Sequence, residues 1–368
     1  MDKPVSEAER QLLIALIELA EPIETPNNTH YTFYPKTLEE ATHYFHSLRV
    51  DLNPAVYSLA ARGLLEINGT LTEAGRARAR QERQDHPPIW YWYREYYTIT
   101  SRSKTYSRFC ETLYGRDLCQ TDFSDMAQLD FLIQAARIRP GDHVLDLGCG
   151  AGHFAEYLAD TTGARVWGVD YTPEAIEQAL ERTQTRRDRL DFQIGNFDHL
   201  HYPAGAFDVI TSIDTLYMPA DLAITLSRLI EMLAPGGRLL VYYMNMIFDP
   251  AQNRDVLTPE GSDLGRAARA LGLHFRTWDF TEPTFQLMRR KYALANAMRA
   301  EFAAEGTLFL HEHLAAESLQ GEEPFDPGST HLSRYLYEIT RAGELHTETK
   351  AAARSGPSSP GEPSLGGI

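Results

Sequence analysis

Cysteine is scarce. Three occur in 368 residues, Cys110, Cys119 and Cys149, and none stands in a CxxC pair. That excludes a disulfide framework and a paired-thiolate zinc site, and it fits a reducing cytoplasm. Long apolar runs are missing too: no stretch of about 18 uncharged apolar residues exists, so no spanning helix and no membrane partner are expected. The opening MDKPVSEAERQLLIALIELAEP is broken by Glu18 and Glu21 and has neither a basic start nor a small-residue cleavage site, unlike a signal peptide. Basic residues are in deficit, 35 against 51 acidic, for a net charge of −16 that repels a phosphate backbone and argues against nucleic acid. HExxH spacing is absent. His311-Glu312-His313 puts its histidines two apart, on different sides of a helix, so no metal site is expected.

What remains is an ordinary globular composition, 43% hydrophobic and 23% charged, at a length that suits two domains. Residues 1–85 begin with Leu12, Leu13, Leu16, Ile17 and Ala20 at helical spacing, followed by a second helical stretch around Leu38 to Leu48. Then come a helix from Asn53, a short strand at Leu64 to Ile67, an Asn68-Gly69 turn, and a second strand and helix. This order resembles a winged helix. Its usual use is DNA binding, but the segment carries 13 Asp/Glu against 9 Lys/Arg, and a dimerisation or capping module fits equally, with a homodimer as one outcome. Residues 86–123 form an aromatic linker and cap with Trp90, Tyr91, Trp92, Tyr93, Tyr96, Tyr97, Tyr106, Phe109 and Tyr114. Such side chains serve either as an interdomain seam or as the roof of a ligand pocket.

From residue 124 to 341 helices and strands alternate. Strands are expected at His143 to Leu147, Arg165 to Asp170, Leu190 to Gly195, Phe207 to Ile213, Arg238 to Tyr243, His274 to Phe280 and Arg334 to Ile339, which predicts a doubly wound α/β sheet of seven strands. More than fifty residues separate the last two strands. The helical part of that insert, 283–318, carries Phe285, Leu287, Met288, Tyr292, Leu294, Ala295, Met298 and Phe302 on one face and reads as a lid, with packing on the first domain as the alternative. Residues 342–368 are rich in Ser, Pro and Gly and read as a disordered tail.

The strongest chemical signal is HVLDLGCGAGHF at 143–154, an apolar strand running into Gly148-Cys149-Gly150-Ala151-Gly152 and a helix. Glycines there let the backbone turn sharply and approach a ligand. Asp146 precedes the first of them, and a carboxylate at that point suits an ammonium group and repels a pyrophosphate. Asp170 ends the next strand about 20 residues on, where an acid can accept from ribose hydroxyls. Tyr171 follows it and can lie against an adenine.

These segments resemble class I S-adenosylmethionine-dependent methyltransferases across roughly Met126 to Arg341. VLDLGCGAGHF is similar to their first motif, VWGVDYTPEAIEQA to their second, and LAPGGRLLVYY at 233–243 to the signature of the fifth strand. The resemblance implies a Rossmann-like fold, S-adenosylmethionine as cofactor, and methyl transfer to an O, N or C atom of a small-molecule acceptor. It implies cofactor contacts from Gly148, Cys149, Gly150, Gly152, Asp146, Asp170 and Tyr171, with Asn196 and Phe197 at the adenine and Ile213 and Asp214 near the methionine portion. Tyr106, ahead of the first motif, is expected to reach the cofactor carboxylate. Trp92, Tyr96, Tyr217, Tyr243, Asn245 and Tyr292 are expected to line the acceptor pocket. No catalytic base stands out; Tyr217, His311 and His313 are the candidates.

Competing readings are a protein or RNA methyltransferase and a DNA-binding regulator that senses S-adenosylmethionine. After the fourth strand stands Ser212-Ile213-Asp214-Thr215-Leu216-Tyr217, without the Pro-Pro-aromatic run of amino-directed nucleic-acid enzymes. No cysteine follows Cys149, which closes the cytosine-carbon route.

Overall fold

The computed structural model describes residues 4–20, 53–66, 68–85, 88–219, 221–247, 252–322 and 325–343. The expected helix at Leu38 to Leu48 and nearly all of the expected tail lie outside them. The first module holds α1 (Glu7–Ala20), α2 (Asn53–Ala61) and α3 (Glu73–Asp85) around Leu12, Leu13, Leu16, Ile17, Leu59 and Ala79. Its expected strands reduce to one bridge between Leu65 and Leu71, closed by a turn in which Glu66 N–H donates to Thr70 O at 2.8 Å and Gly69 sits at φ 81°. Helix α2 carries no lysine or arginine, so it presents no cation to a phosphate backbone.

Two helices follow, α4 (Pro88–Thr100) and α5 (Lys104–Tyr114). Ser103 caps α5 by accepting from Tyr106 N–H, and Gly115 ends it in the left-handed region. The α/β domain then runs α6 (Met126–Ala136), β1 (His143–Leu147), α7 (His153–Thr162), β2 (Arg165–Asp170), α8 (Pro173–Arg182), β3 (Leu190–Ile194), β4 (Phe207–Ile213), α9 (Leu222–Met232), β5 (Leu233–Met246), α10 (Asp263–Ala270) and β6 (His274–Asp279). The insert forms α11 (Thr281–Ala297), α12 (Arg299–Glu305) and α13 (Leu308–Glu317), and β7 (Leu332–Thr340) returns to the sheet.

Strand order is β3-β2-β1-β4-β5-β7-β6, parallel except for β7, which runs antiparallel between β5 and β6. The seven expected strands are all present. Strands β1 and β4 are buried almost throughout because helices cover both faces of the parallel part. A third cluster crosses the carboxyl edge: Tyr96, Tyr97, Tyr106, Phe109 and Tyr114 pack with Phe285, Leu287, Met288, Ala295, Met298 and Phe302 of the insert, and with Ala151 and Ala175 of the sheet domain. Insert and aromatic linker thus form one roof. Burying a side chain such as Phe302, 0% exposed, contributes about 1.5–3 kcal/mol to that roof. Phe309 touches both this cluster and the first module's core, so the insert packs on the first module as well as on the aromatic linker.

Candidate active site

The floor is the β1 exit. Gly148, Gly150 and Gly152 all have positive φ (69°, 53° and 77°), and each is crowded where a side chain would stand. A Cβ on Gly148 would lie 2.5 Å from Thr215 Cγ2, because the β4 exit folds back here and Thr215 donates to Leu147 O at 3.1 Å. On Gly150 it would lie 2.3 Å from the Tyr97 hydroxyl. Only glycine satisfies both demands.

Asp146 is 3% exposed and accepts from Thr211 Oγ1 at 2.9 Å. Burial pushes its carboxyl up to about 7, despite the hydroxyl's stabilising bond, and Asp170 and Asp122 add to the rise. Asp170 accepts Gly150 N–H at 3.0 Å on one oxygen and Thr172 N–H at 2.9 Å on the other. Its pKa is raised by burial against those bonds. Each carboxylate oxygen retains a second lone pair, so holding the loop leaves Asp170 able to accept from a ligand. Cys149 packs beneath, against Gly168 and Phe192. Burial raises its thiol well above the ordinary value.

Several expected contacts are otherwise engaged. Tyr106 is 1% exposed and donates to Gln120 O at 2.6 Å while its oxygen pairs with the Tyr96 hydroxyl, so neither tyrosine points at the glycine loop. Asp214, at φ 52°, is gripped bidentately by Arg334 of β7 at 3.1 and 2.7 Å, away from a methionine contact. Tyr243 packs in the core beneath α9, with Tyr217 edge-on to it at 5.8 Å and Tyr337 behind. Asn245 donates to Ser333 Oγ at 3.2 Å inside the sheet. These two are structural because the alternation of β5 sends them to the helix face, while Met244 and Met246 face the roof. Tyr292 is half-buried and bonds Glu322 at 3.2 Å. Asn196 is exposed and accepts Asp198 N–H at 2.9 Å, and Phe197 and Ile213 are partly buried beside the two sheet cores. Tyr171 stands edge-on to Tyr93 at 6.3 Å. Trp92 lies on α4, with its side chain outside the described residues.

The base candidates separate. His313 faces the roof interior, 3.2 Å from Thr121 Oγ1 and 3.5 Å from Glu317; burial holds it down to about 4, so it is neutral at physiological pH. His311 is buried beside Phe302, and burial followed by Arg299 lowers it too.

Residues that the sequence reading missed are the ones that tie roof to floor. Arg334 is fully buried and, besides Asp214, donates to Phe123 O, Gln128 Oε1 and Ser124 Oγ at 3.1, 2.6 and 2.7 Å. Burial opposes its charge, but Asp214 more than offsets that and leaves its pKa above the ordinary value. Asp122 is half-buried nearby, accepts Ser124 N–H at 2.7 Å, and is pushed up by burial and then by Asp214. Lys291, fully buried, donates to Glu317 at 2.6 Å and Thr121 O at 3.0 Å. No local pattern announces them; a lone charge on an apolar helix face, as at Lys291, was the available signal.

Comparison with known proteins agrees with this architecture. Residues 138–270 match the family model described as "Methyltransferase domain". Phosphoethanolamine N-methyltransferase 1 of Arabidopsis thaliana is 30% identical over 152 residues, 41% of this chain and 31% of that protein. The match therefore spans about a third of that relative's length. Among solved structures, a Haemonchus contortus phosphoethanolamine N-methyltransferase 2 in complex with phosphomonomethylethanolamine and S-adenosylhomocysteine superimposes with a TM-score of 0.53 at 16% identity, covering 67% of this chain and 59% of that one. The cyclase SpnF gives 0.51 at 17% identity, covering 68% and 96%. Residues 138–270 thus match a methyltransferase domain, and the likeness to the solved structures shows the class I methyltransferase fold.

Proposed function

We propose that this chain binds S-adenosylmethionine over the glycine loop and transfers its methyl group to a small molecule held beneath the aromatic roof. One observation carries the reading: two buried carboxylates, Asp146 and Asp170, flank three crowded glycines at the ends of adjacent parallel strands. That donor set fits a ligand with a cationic amino-acid end and a ribose, and it disfavours a dinucleotide's pyrophosphate. Asp146 would hold the ammonium, and Asp170, fixed by its two backbone bonds, would receive the ribose hydroxyls. The cofactor supplies a methyl group already activated on a cationic sulfur. What the protein adds is alignment and the exclusion of water, and orientation of this kind is worth roughly 7–11 kcal/mol of barrier.

The acceptor would enter between the roof and the β4 exit. Curated relatives are named for phosphoethanolamine, tocopherol and sterol acceptors, which supports a small molecule and leaves its class open. Helix α2, with no basic residue, gives a DNA-binding regulator no support. Calorimetry with S-adenosylhomocysteine, alongside NADH as a control, tests the cofactor assignment. Binding of NADH in place of the thioether would overturn it. Mass-resolved methyl incorporation into phosphoethanolamine, tocopherol and sterol precursors tests the acceptor.

A further inference from the structure

Four tyrosines are buried in the roof cluster, and the hydroxyl groups of three are committed. Tyr106 donates to Gln120 O, Tyr96 pairs with Tyr106 and reaches Cys119 O at 3.3 Å, and Tyr114 donates to Asp122 O at 3.1 Å. Tyr97 differs. It is 7% exposed, its hydroxyl stands over Gly150, and that hydroxyl has no hydrogen-bond partner among the described residues. Open at the surface of the glycine loop and bonded to no described protein group, that hydroxyl is available to a ligand seated there. Its position is not loose packing. Gln178 donates to Tyr97 O at 3.1 Å, Arg94 pairs with Glu174 at 2.9 Å, and Tyr93 stacks on the Tyr97 ring at 6.2 Å, so α4 is pinned to α8 with this one side chain turned onto the glycine loop.

The surroundings say which ligand group it meets. Asp170 is the nearest acid, and burial together with that carboxylate raises the Tyr97 pKa well above its ordinary value, so the hydroxyl stays protonated and can only donate to an anion. Asp146 suits the ammonium and Asp170 the ribose hydroxyls of an amino-acid-bearing nucleoside, yet both repel its carboxylate. A neutral donor placed over Gly150 removes that conflict. We infer that the Tyr97 hydroxyl, rather than that of Tyr106, binds the α-carboxylate of S-adenosylmethionine, and thereby makes the site discriminate against nucleosides that lack the amino-acid end. This rests on the cofactor reading above.

The test compares two ligands by calorimetry: S-adenosylhomocysteine, which has the carboxylate, and 5′-methylthioadenosine, which shares the nucleoside but lacks it. Tyr97→Phe keeps the ring and the packing on Tyr93. It is expected to weaken S-adenosylhomocysteine roughly ten- to a hundredfold, the range for a lost hydrogen bond to a charged group, and to leave 5′-methylthioadenosine unchanged. Tyr106→Phe is expected to leave the ratio between the two ligands where it stands in the unmodified protein. If Tyr97→Phe weakens both ligands equally, the residue only packs against the loop and the inference is wrong. No change for either ligand overturns it as well. Failure of the unmodified protein to bind S-adenosylhomocysteine at all would instead sink the cofactor reading.

Discussion

Along the floor, the bond that fixes the glycine loop spans 20 residues, from Gly150 to Asp170. Across the roof the corresponding ties span 202 residues from Ser103 to Glu305, 170 from Thr121 to Lys291, and 210 from Ser124 to Arg334. A βα turn is shaped by its own glycines and the next strand, so it forms with the sheet. The roof has no shape until chain ends far apart in sequence meet. Floor changes should therefore act on the ligand, and roof changes on stability first.

The largest expected effect is at Arg334. Replacing it with Met leaves Asp214 buried without its guanidinium and leaves Ser124, Gln128 and Phe123 unserved, and one-sided loss of a buried pair costs about 3–5 kcal/mol. Urea unfolding should show that loss, and adding Asp214→Asn should recover part of it. If Arg334→Met unfolds like the unmodified protein, the roof is not held to the sheet by this residue. Next comes Asp170→Ala on the floor, expected to weaken S-adenosylmethionine by about 1–3 kcal/mol in calorimetry, through the ribose and through the freed Gly150 amide. Asp170→Asn should fall between, since its amide oxygen still accepts one backbone bond. Equal affinity in a folded Asp170→Ala protein would remove the residue from the site.

Legibility followed the same division. The seven strands were readable because each is a short apolar or alternating run bounded by glycine, proline or a helix cap, and Asp146, the glycines and Asp170 sit at fixed offsets from those strands. The insert was readable as helices from its apolar face. What could not be read was which hydroxyl or charge meets which. Tyr97 and Tyr106 both stand in aromatic helices ahead of the first motif, and only the packing of α4 on α8 decides that the former faces Gly150. Asp214 sits where a ligand contact is expected, but its partner comes 120 residues later, from an antiparallel strand. Tyr243 and Asn245 were misplaced by strand phase alone: a shift of one residue changes the face.

A smaller effect should appear in the pH dependence of ligand binding. Burial raises Asp146 to about 7, so between the ordinary carboxylate range and that value the folded protein holds a proton that the unfolded chain has lost. Its contribution to folding is then full below the ordinary carboxylate pKa and declines as pH rises through about 7. Binding an ammonium requires the charged form. Affinity for S-adenosylmethionine should therefore increase from pH 6 to pH 8, by at most about 1.4 kcal/mol per unit, and Asp146→Asn should flatten the curve. A steep curve surviving in the Asn variant would assign the titration elsewhere, with Asp122 as the first alternative.

The smallest effect is expected at Glu305, an exposed tie of the roof. Its carboxylate accepts Ser103 Oγ at 2.5 Å, Lys104 N–H at 2.8 Å and Thr105 N–H at 3.2 Å, so the insert caps the first turn of α5, where a negative charge also meets the positive end of the helix. Burial is the largest single influence and works against the charge, but the bonds from Ser103, Lys104 and Thr105 together outweigh it and lower the pKa. With a lowered folded pKa, the stabilisation is present above the ordinary glutamate value and disappears as pH falls through the folded one. Glu305→Gln keeps an acceptor and loses the charge, and because the group is exposed the loss should be only about 0.5–1 kcal/mol at pH 7. Thermal melts of the two proteins should differ at pH 7 and converge near pH 3, with affinity for S-adenosylhomocysteine the same in both. A change in that affinity, with no change in melting, would mean that the insert reaches the floor through Glu305 and that the division between the two regions is drawn in the wrong place.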